Sequence, residues 1–288
     1  IDLGAADVAV AAARRLQAEG LHVRAVRPPT VPPGRSGLRI VCHADHTDAD
    51  IDRLAVALTE TERSTPECTP AATARAIAVF GTDTDVGKTV ASAVLVRALA
   101  RRGDAVRYWK PLQTGDVSDT ETVTRLADTP TSHGPVVHLA LPASVDQAAE
   151  AEGVRVEADA VVDRLRAGLS DHPGDVFVLE TAGGLLVPLN ETEDQADVFE
   201  ALGLPTILVA RSGLGTLNHT RLSIEAMSRR GLAPRALLLV GPRHAANVAT
   251  LETWLPGLPI FELPLLDPLA PVAIDAWLDT NPIAEVLV

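Results

Sequence analysis

The strongest chemical signal in this sequence is a lysine held between a glycine and a threonine, in Gly81-Thr82-Asp83-Thr84-Asp85-Val86-Gly87-Lys88-Thr89. Backbone N–H groups of such a loop, and of the helix start that follows at Val90, can wrap the oxygens of a triphosphate. Lys88 can then reach the β- and γ-phosphates, and the Thr89 hydroxyl can ligate magnesium. The spacing departs from the usual G-x4-G-K-[ST], because Thr82 holds the first glycine position and Gly81 sits one residue earlier. An apolar run, AIAVF, precedes the loop and an amphipathic stretch, VASAVLVRALARR, follows it. That is the strand-loop-helix setting a phosphate loop needs.

Lysine is otherwise scarce. Of 25 Lys plus Arg, only Lys88 and Lys110 are lysines. A lysine kept against that preference marks a place where a compact, mobile ammonium serves and a planar fork does not. Lys110 lies in YWKPLQTG, at the end of the next apolar run; taken alone, it reads as a solvated rim charge. Two carboxylates could complete a metal site. Glu180 follows DVFVL and precedes Thr181-Ala182-Gly183-Gly184, so it projects from a strand end beside a flexible turn, as acidic magnesium ligands do. Asp119 opens the helical stretch SDTETVTRLAD, where the plainer reading is a charge favoured by the helix macrodipole. Gly213 to Leu217, in GLGTLNHT, enters another helix; its N–H groups could hold a carboxylate, although the plainer reading from the residues alone is an ordinary helix cap.

From Ile77 onward, short apolar runs (AIAVF, AVRYW, DVFVLE, PTILVA, ALLLV, PIFEL) alternate with helical stretches. Continuous apolar strands of this length suit a mostly parallel sheet buried on both faces, with helices as right-handed crossovers. The expected fold is α/β, a P-loop-type doubly wound sheet over residues 77–288, with ligands beyond the carboxyl ends of the strands. Before it, residues 5–19 read as a helix that stops at Gly20. The run LHVRAVR, the turn RPPTVPPGRSG and the strand LRIVC then suggest an antiparallel pair, and TDADIDRLAVALTE, capped by Thr47 or Asp48, a second helix. Residues 61–76 read as a linker. The opening residues read as the middle of a helical unit, as if the chain began inside a longer one.

Composition narrows the partners. With 47% apolar and 22% charged residues the chain can bury a full core. A net charge of −13 offers no basic surface to nucleic acid or anionic lipid. No apolar stretch approaches the roughly 20 residues of a membrane span, and no secretory leader is legible, so the expected address is the cytoplasm. Cys42 and Cys68 are too few for a disulfide scaffold or a metal knuckle.

Taken together, GTDTDVGKT, KPLQTG, the SD of SDTETV, ETAGG, ADVFEALGLPTILVA, GLGTLNHT and ELPLL resemble the dethiobiotin synthetases over residues 77–288. The resemblance implies ATP-dependent carboxylation of 7,8-diaminopelargonate with CO2, phosphorylation of the carbamate and closure of a ureido ring. By this likeness Lys88, Lys110 and Thr84 act in catalysis, and Thr89, Asp119 and Glu180 hold magnesium. Asp85, Val86, Gly87, Lys88, Thr89 and Val90 cradle the nucleotide, with Glu180, Thr181, Ala182 and Gly183 beside it. Val240, Gly241 and Pro264, Leu265 and Leu266 flank its base. Thr84, Lys110 and Thr114 line the diamine and carbamate pocket, while Gly215, Thr216, Leu217 and Asn218 reach the substrate carboxylate from a neighbouring subunit, which implies a homodimer. Three positions depart from the family pattern. Asp85 stands where other members carry Glu or Gly, and Thr181 replaces a glycine. Val240-Gly241-Pro242 lacks the asparagine that reads adenine in many members, so base selectivity is expected to be loose or to favour another nucleotide.

Residues 1–60 resemble a different enzyme, the carboxyl-terminal end of 8-amino-7-oxononanoate synthase, through ARRLQAEGLHV, RPPTVPPG, LRI and DIDRLAVAL. Arg39 matches an arginine that binds substrate carboxylate there. The segment has no lysine for a pyridoxal phosphate Schiff base, so it is expected to be a remnant of a bifunctional fusion. The rival reading for the main domain is a partitioning-type nucleotide switch. Those proteins usually carry a second lysine after the first loop glycine, where this chain has Thr82.

Overall fold

A computed structural model describes residues 2–287 apart from 5, 19, 22, 27–30, 32–35, 41–46, 65–74, 116–118 and 129–131. Cys42, Cys68 and most of the expected linker lie outside the described residues. The chain divides into two compact units, Ile1–Ala71 and Ala72–Val288.

In the first unit the order is β1 (Asp2–Gly4), α1 (Ala6–Ala18), β2 (Arg24–Val26), β3 (Ser36–Arg39) and α2 (Asp48–Ser64). Strands β1 and β2 both pair antiparallel with β3. The antiparallel pair expected from the sequence is present, whereas the helical reading of the opening residues is corrected: they form strand β1. Three residues are too short for a periodicity to show. Helix α1 ends where expected, with Gly20 at φ 79° and its N–H bonded to Gln17 O at 2.9 Å. The Thr47 hydroxyl accepts the Asp50 N–H at 3.3 Å, and the Asp50 carboxylate accepts the Thr47 N–H at 2.9 Å. That reciprocal cap starts α2. The helix runs through Thr61 to Ser64, residues that the sequence places in the linker. Ala12, Leu16, Leu38 and Ala57 form this unit's own small core.

The second unit is built on a seven-stranded sheet. Its strands are β4 (Arg75–Gly81), β5 (Val106–Trp109), β7 (Ser132–His133), β9 (Val176–Glu180), β10 (Thr206–Arg211), β11 (Ala236–Val240) and β12 (Ile260–Leu263). They lie in the order β12-β11-β10-β4-β9-β5-β7, and all pairs are parallel. Strands β6 (Leu112–Thr114) and β8 (Val137–Leu139) form a separate parallel pair. Arg75 and Ala76, assigned to the linker from sequence, already belong to β4.

Alternate residues of each strand feed opposite faces, as the pleat dictates. Ala78 and Phe80 of β4 join one core with Phe177 and Leu179 of β9, and Ile77 and Val79 join the other with Val176 and Val178. The first face is covered by α5 (Val145–Ala151), α6 (Ala158–Ser170), α7 (Gln195–Leu202), α8 (Thr216–Arg229) and α9 (Ala245–Trp254). The second is covered by α3 (Lys88–Arg101), α4 (Asp119–Ala127), α10 (Pro271–Leu278) and the short 3-10 turn Ile283–Val286. Burying each large apolar side chain here favours folding by about 1.5–3 kcal/mol. The doubly wound α/β sheet expected from the sequence is therefore the observed fold. Its central strand, β4, runs directly into the phosphate loop.

Candidate active site

Beyond the carboxyl ends of β4, β5 and β9 opens a cleft of about 830 Å³. Its phosphate side is the loop between β4 and α3. Asp85 (φ 56°) and Gly87 (φ 96°) both take left-handed backbone, which turns the loop before the helix starts. A Cβ on Gly87 would lie 2.7 Å from Val240 Cγ1, so the end of β11 presses on the loop and admits only glycine there. Lys88 folds back over the loop: its Nζ donates to Asp83 O at 2.9 Å, and a Cβ on Gly81 would lie 2.8 Å from that nitrogen. Burial pushes the Lys88 ammonium below the usual lysine range, with Lys110 adding to the effect and Glu180 opposing it. Bringing anionic phosphate oxygens to this cation would relieve that penalty.

Thr89 opens α3 and meets both carboxylates. Its hydroxyl lies 2.9 Å from Asp119 Oδ1 and 3.0 Å from Glu180 Oε1. Lys110, just past β5, pairs with Asp119 Oδ2 and lies 3.8 Å from Glu180 Oε1, with 13% of its side chain exposed. It is not the solvated rim charge that its position alone suggested. Glu180 is 1% exposed, and its other oxygen, Oε2, accepts the Tyr108 hydroxyl at 2.9 Å. Burial raises the Glu180 carboxyl above the usual range and Asp119 raises it further, against the pull of Lys110. Among these side chains two ammonium groups balance two carboxylates.

One hydroxyl and two carboxylates make an all-oxygen donor set, which suits a hard cation such as magnesium. Among the described residues no three His, Cys, Asp or Glu side chains group into a metal cage. Magnesium held at Thr89, Asp119 and Glu180 would take its remaining ligands from water and phosphate oxygens, as magnesium usually does.

Of the residues singled out from sequence, the cleft gathers Thr84, Asp85, Gly87, Lys88, Thr89 and Val90 from the loop and α3. It also gathers Lys110, Thr114 and Asp119 from around β5, β6 and α4, and Glu180, Ala182 and Gly183 from the end of β9. Others lie elsewhere. The Val86 side chain is buried in the core behind the loop. Thr181 turns inward, its hydroxyl donating to Val79 O at 3.1 Å. Val240, which packs on Gly87, and Gly241, Pro264, Leu265 and Leu266 sit at the ends of β11 and β12, and none of the five lines the cleft. Gly215, Thr216, Leu217 and Asn218 form the start of α8 and are likewise no part of the cleft within one chain. The Thr216 side chain is buried against Thr220, 3.2 Å away, so only backbone there can face a ligand.

Sequence reasoning missed Tyr108, Gln195, Gln113 and the wall Pro142–Val145, all of which line or support the cleft. Tyr108 did carry a signal, as the sole tyrosine and two residues from Lys110. The wall carried none.

A family model described as an AAA domain matches residues 75–273. The ATP-dependent dethiobiotin synthetase BioD of Paramagnetospirillum magneticum (strain AMB-1) is 41% identical over 180 residues, covering 62% of this chain and 82% of that protein. The chain belongs to the dethiobiotin synthetase family. The BioD of Anaeromyxobacter sp. (strain K) is 44% identical over 183 residues, covering 60% of this chain and 81% of its own length. The biotin biosynthesis bifunctional protein BioCD of Bordetella avium is 39% identical over 209 residues, and this chain spans 42% of its length. As a dethiobiotin synthetase, the chain is an ATP-dependent enzyme, and the rival reading as a partitioning switch gives way.

Proposed function

We propose that this dethiobiotin synthetase takes 7,8-diaminopelargonate, CO2 and a Mg-nucleoside triphosphate to dethiobiotin. One amine adds CO2 to give a carbamate, and a carbamate oxygen attacks the γ-phosphorus, releasing the nucleoside diphosphate. The second amine then attacks the carbamoyl carbon, loses its proton and expels phosphate, which closes the five-membered urea. Little covalent chemistry falls to the protein; its work is to hold anions together and neutralise them.

The observation that carries this reading is the convergence of the chain's two lysines on one cleft. Lys88 would neutralise the β- and γ-phosphates and Lys110 the carbamate. Thr84 and Thr114 would orient the carbamate end of the diamine. Thr89, Asp119 and Glu180 would hold magnesium, which when bound offsets charge on the β- and γ-oxygens. Val240, Gly241 and Pro264 to Leu266 would flank the base. Incubation with diaminopelargonate, bicarbonate, magnesium and each nucleoside triphosphate in turn, read by product mass, tests the proposal. Phosphate release indifferent to the diamine would sink it.

The start of α8 would serve the substrate carboxylate of a partner subunit, through Asn218 and the N–H groups of Gly215 to Leu217. Support comes from Leu214, fully exposed beside this helix start, and from the exposed Leu186 and Leu222. Such apolar surface is what a homodimer would cover. The reaction consumes nucleoside triphosphate, which fits the cytoplasm, and no helix among the described residues is long and apolar enough to cross a membrane.

Residues 1–60 we read as the end of an 8-amino-7-oxononanoate synthase without its chemistry. The absence of lysine from this segment supports a structural role. Removing residues 1–71 should leave ring closure intact, and loss of turnover in a folded truncation would contradict this.

A further inference from the structure

We propose that the Tyr108 hydroxyl positions the Glu180 carboxylate for a divalent cation, acting from behind the site without touching any reactant. The inference rests on reading Thr89, Asp119 and Glu180 as the metal side of the cleft.

Tyr108 is the chain's only tyrosine and is 1% exposed, within β5. Its hydroxyl donates to Glu180 Oε2 at 2.9 Å, while Glu180 Oε1 accepts the Thr89 hydroxyl at 3.0 Å and faces Lys110 Nζ at 3.8 Å. Tyr108 and Lys110 are two residues apart along one extended segment, so they project to the same side of the sheet. That segment therefore addresses both oxygens of one carboxylate. Lys110 lines the cleft and is also paired with Asp119, whereas Tyr108 is locked in the core and is no part of the cleft lining. A buried carboxylate needs its lone pairs filled, and a donor fixed on Oε2 leaves Oε1 aimed at the Thr89 hydroxyl, where a cation would sit. The ring alone would fill the same core space; only the hydroxyl explains the contact with Glu180.

Tyr108→Phe keeps the ring and removes the hydroxyl. Binding of Mn2+ in the presence of ADP, followed by the electron paramagnetic resonance of free Mn2+, reads the effect without turnover. Wild type should bind the ion in a nucleotide-dependent way, and Tyr108→Phe about tenfold more weakly, the lower end for outer partners of metal ligands. ADP affinity in excess chelator should be unchanged. Mn2+ affinity equal to wild type would overturn the proposal, as would a parallel loss of ADP affinity in chelator, which marks a packing role only. No nucleotide-dependent Mn2+ binding by wild type would instead remove the metal reading itself, and the Tyr108 inference with it.

Discussion

The Gln195 side chain brackets the Ala182 peptide from both ends. Its Oε1 accepts the Ala182 N–H at 3.1 Å, and its Nε2 donates to Ala182 O at 2.6 Å and also to Gly184 O. Gln195 is fully buried at the first turn of α7, so one amide fixes the turn that follows Glu180. Replacing it with leucine leaves the Ala182 N–H and the Ala182 and Gly184 carbonyls without this partner. Each buried unsatisfied group costs about 1–3 kcal/mol. Gln195→Leu should therefore lose at least about 2 kcal/mol of stability in urea. The nucleotide KM should rise, because Ala182 and Gly183 line the cleft. A variant with wild-type midpoint and KM would show that the bracket is idle.

Lys88→Ala should cost about 3 kcal/mol or more of transition-state stabilisation, roughly a hundredfold in kcat or greater. Lys110→Arg keeps the charge but replaces a compact ammonium with a broad fork between Asp119 and Glu180, so it should recover little activity. Steady-state turnover with saturating diamine checks both. Near-normal rates for Lys110→Arg would mean that only its charge matters.

If α8 of one subunit completes the cleft of another, two disabled chains can repair each other. Asn218→Ala alone should raise the diamine KM while leaving the nucleotide KM near wild type. Mixed with Lys88→Ala, it should yield hybrid dimers with one site carrying neither defect, and activity above that of either parent. Turnover that stays at the sum of the parents after subunit exchange would argue for sites complete within one chain.

His133, on the edge strand β7, stacks on Trp109 at 4.8 Å between ring centroids and meets His172 edge-on at 5.0 Å. Burial, His172 and the Arg107 guanidinium hold its imidazole below the ordinary histidine range, against a weaker pull from Asp171. The unfolded chain therefore binds this proton more readily than the folded one. Stability from this group is present above the unfolded value of 6.5 and is lost as pH falls below it toward the lower folded value. The urea midpoint should drop between about pH 7.5 and about pH 5.5, and His133→Gln should flatten that drop. Equal slopes for the two proteins would assign the acid sensitivity elsewhere.

The six apolar runs were legible because strands buried on both faces carry no polar alternation and stand out against amphipathic helices. The short strands β1, β6, β7 and β8 were not, since two or three residues hold too little periodicity to separate strand from loop. Tyr108 and Gln195 stayed hidden for another reason: each acts through a contact distant in sequence, to Glu180 and to the Ala182 turn.

By itself the sequence determined the phosphate loop, whose N–H groups, glycines and lysine are consecutive, so that local backbone geometry is enough to define an anion cradle. It also determined the scarcity of lysine, and so drew attention to Lys110. Only the tertiary structure decided what faces Thr89. Asp119 and Glu180 lie 30 and 91 residues from it along the chain, and reach its hydroxyl because β9 is laid beside β4 and β5 beside β9. Strand order is set by the burial of both sheet faces at once, a property of the whole domain that no local stretch encodes.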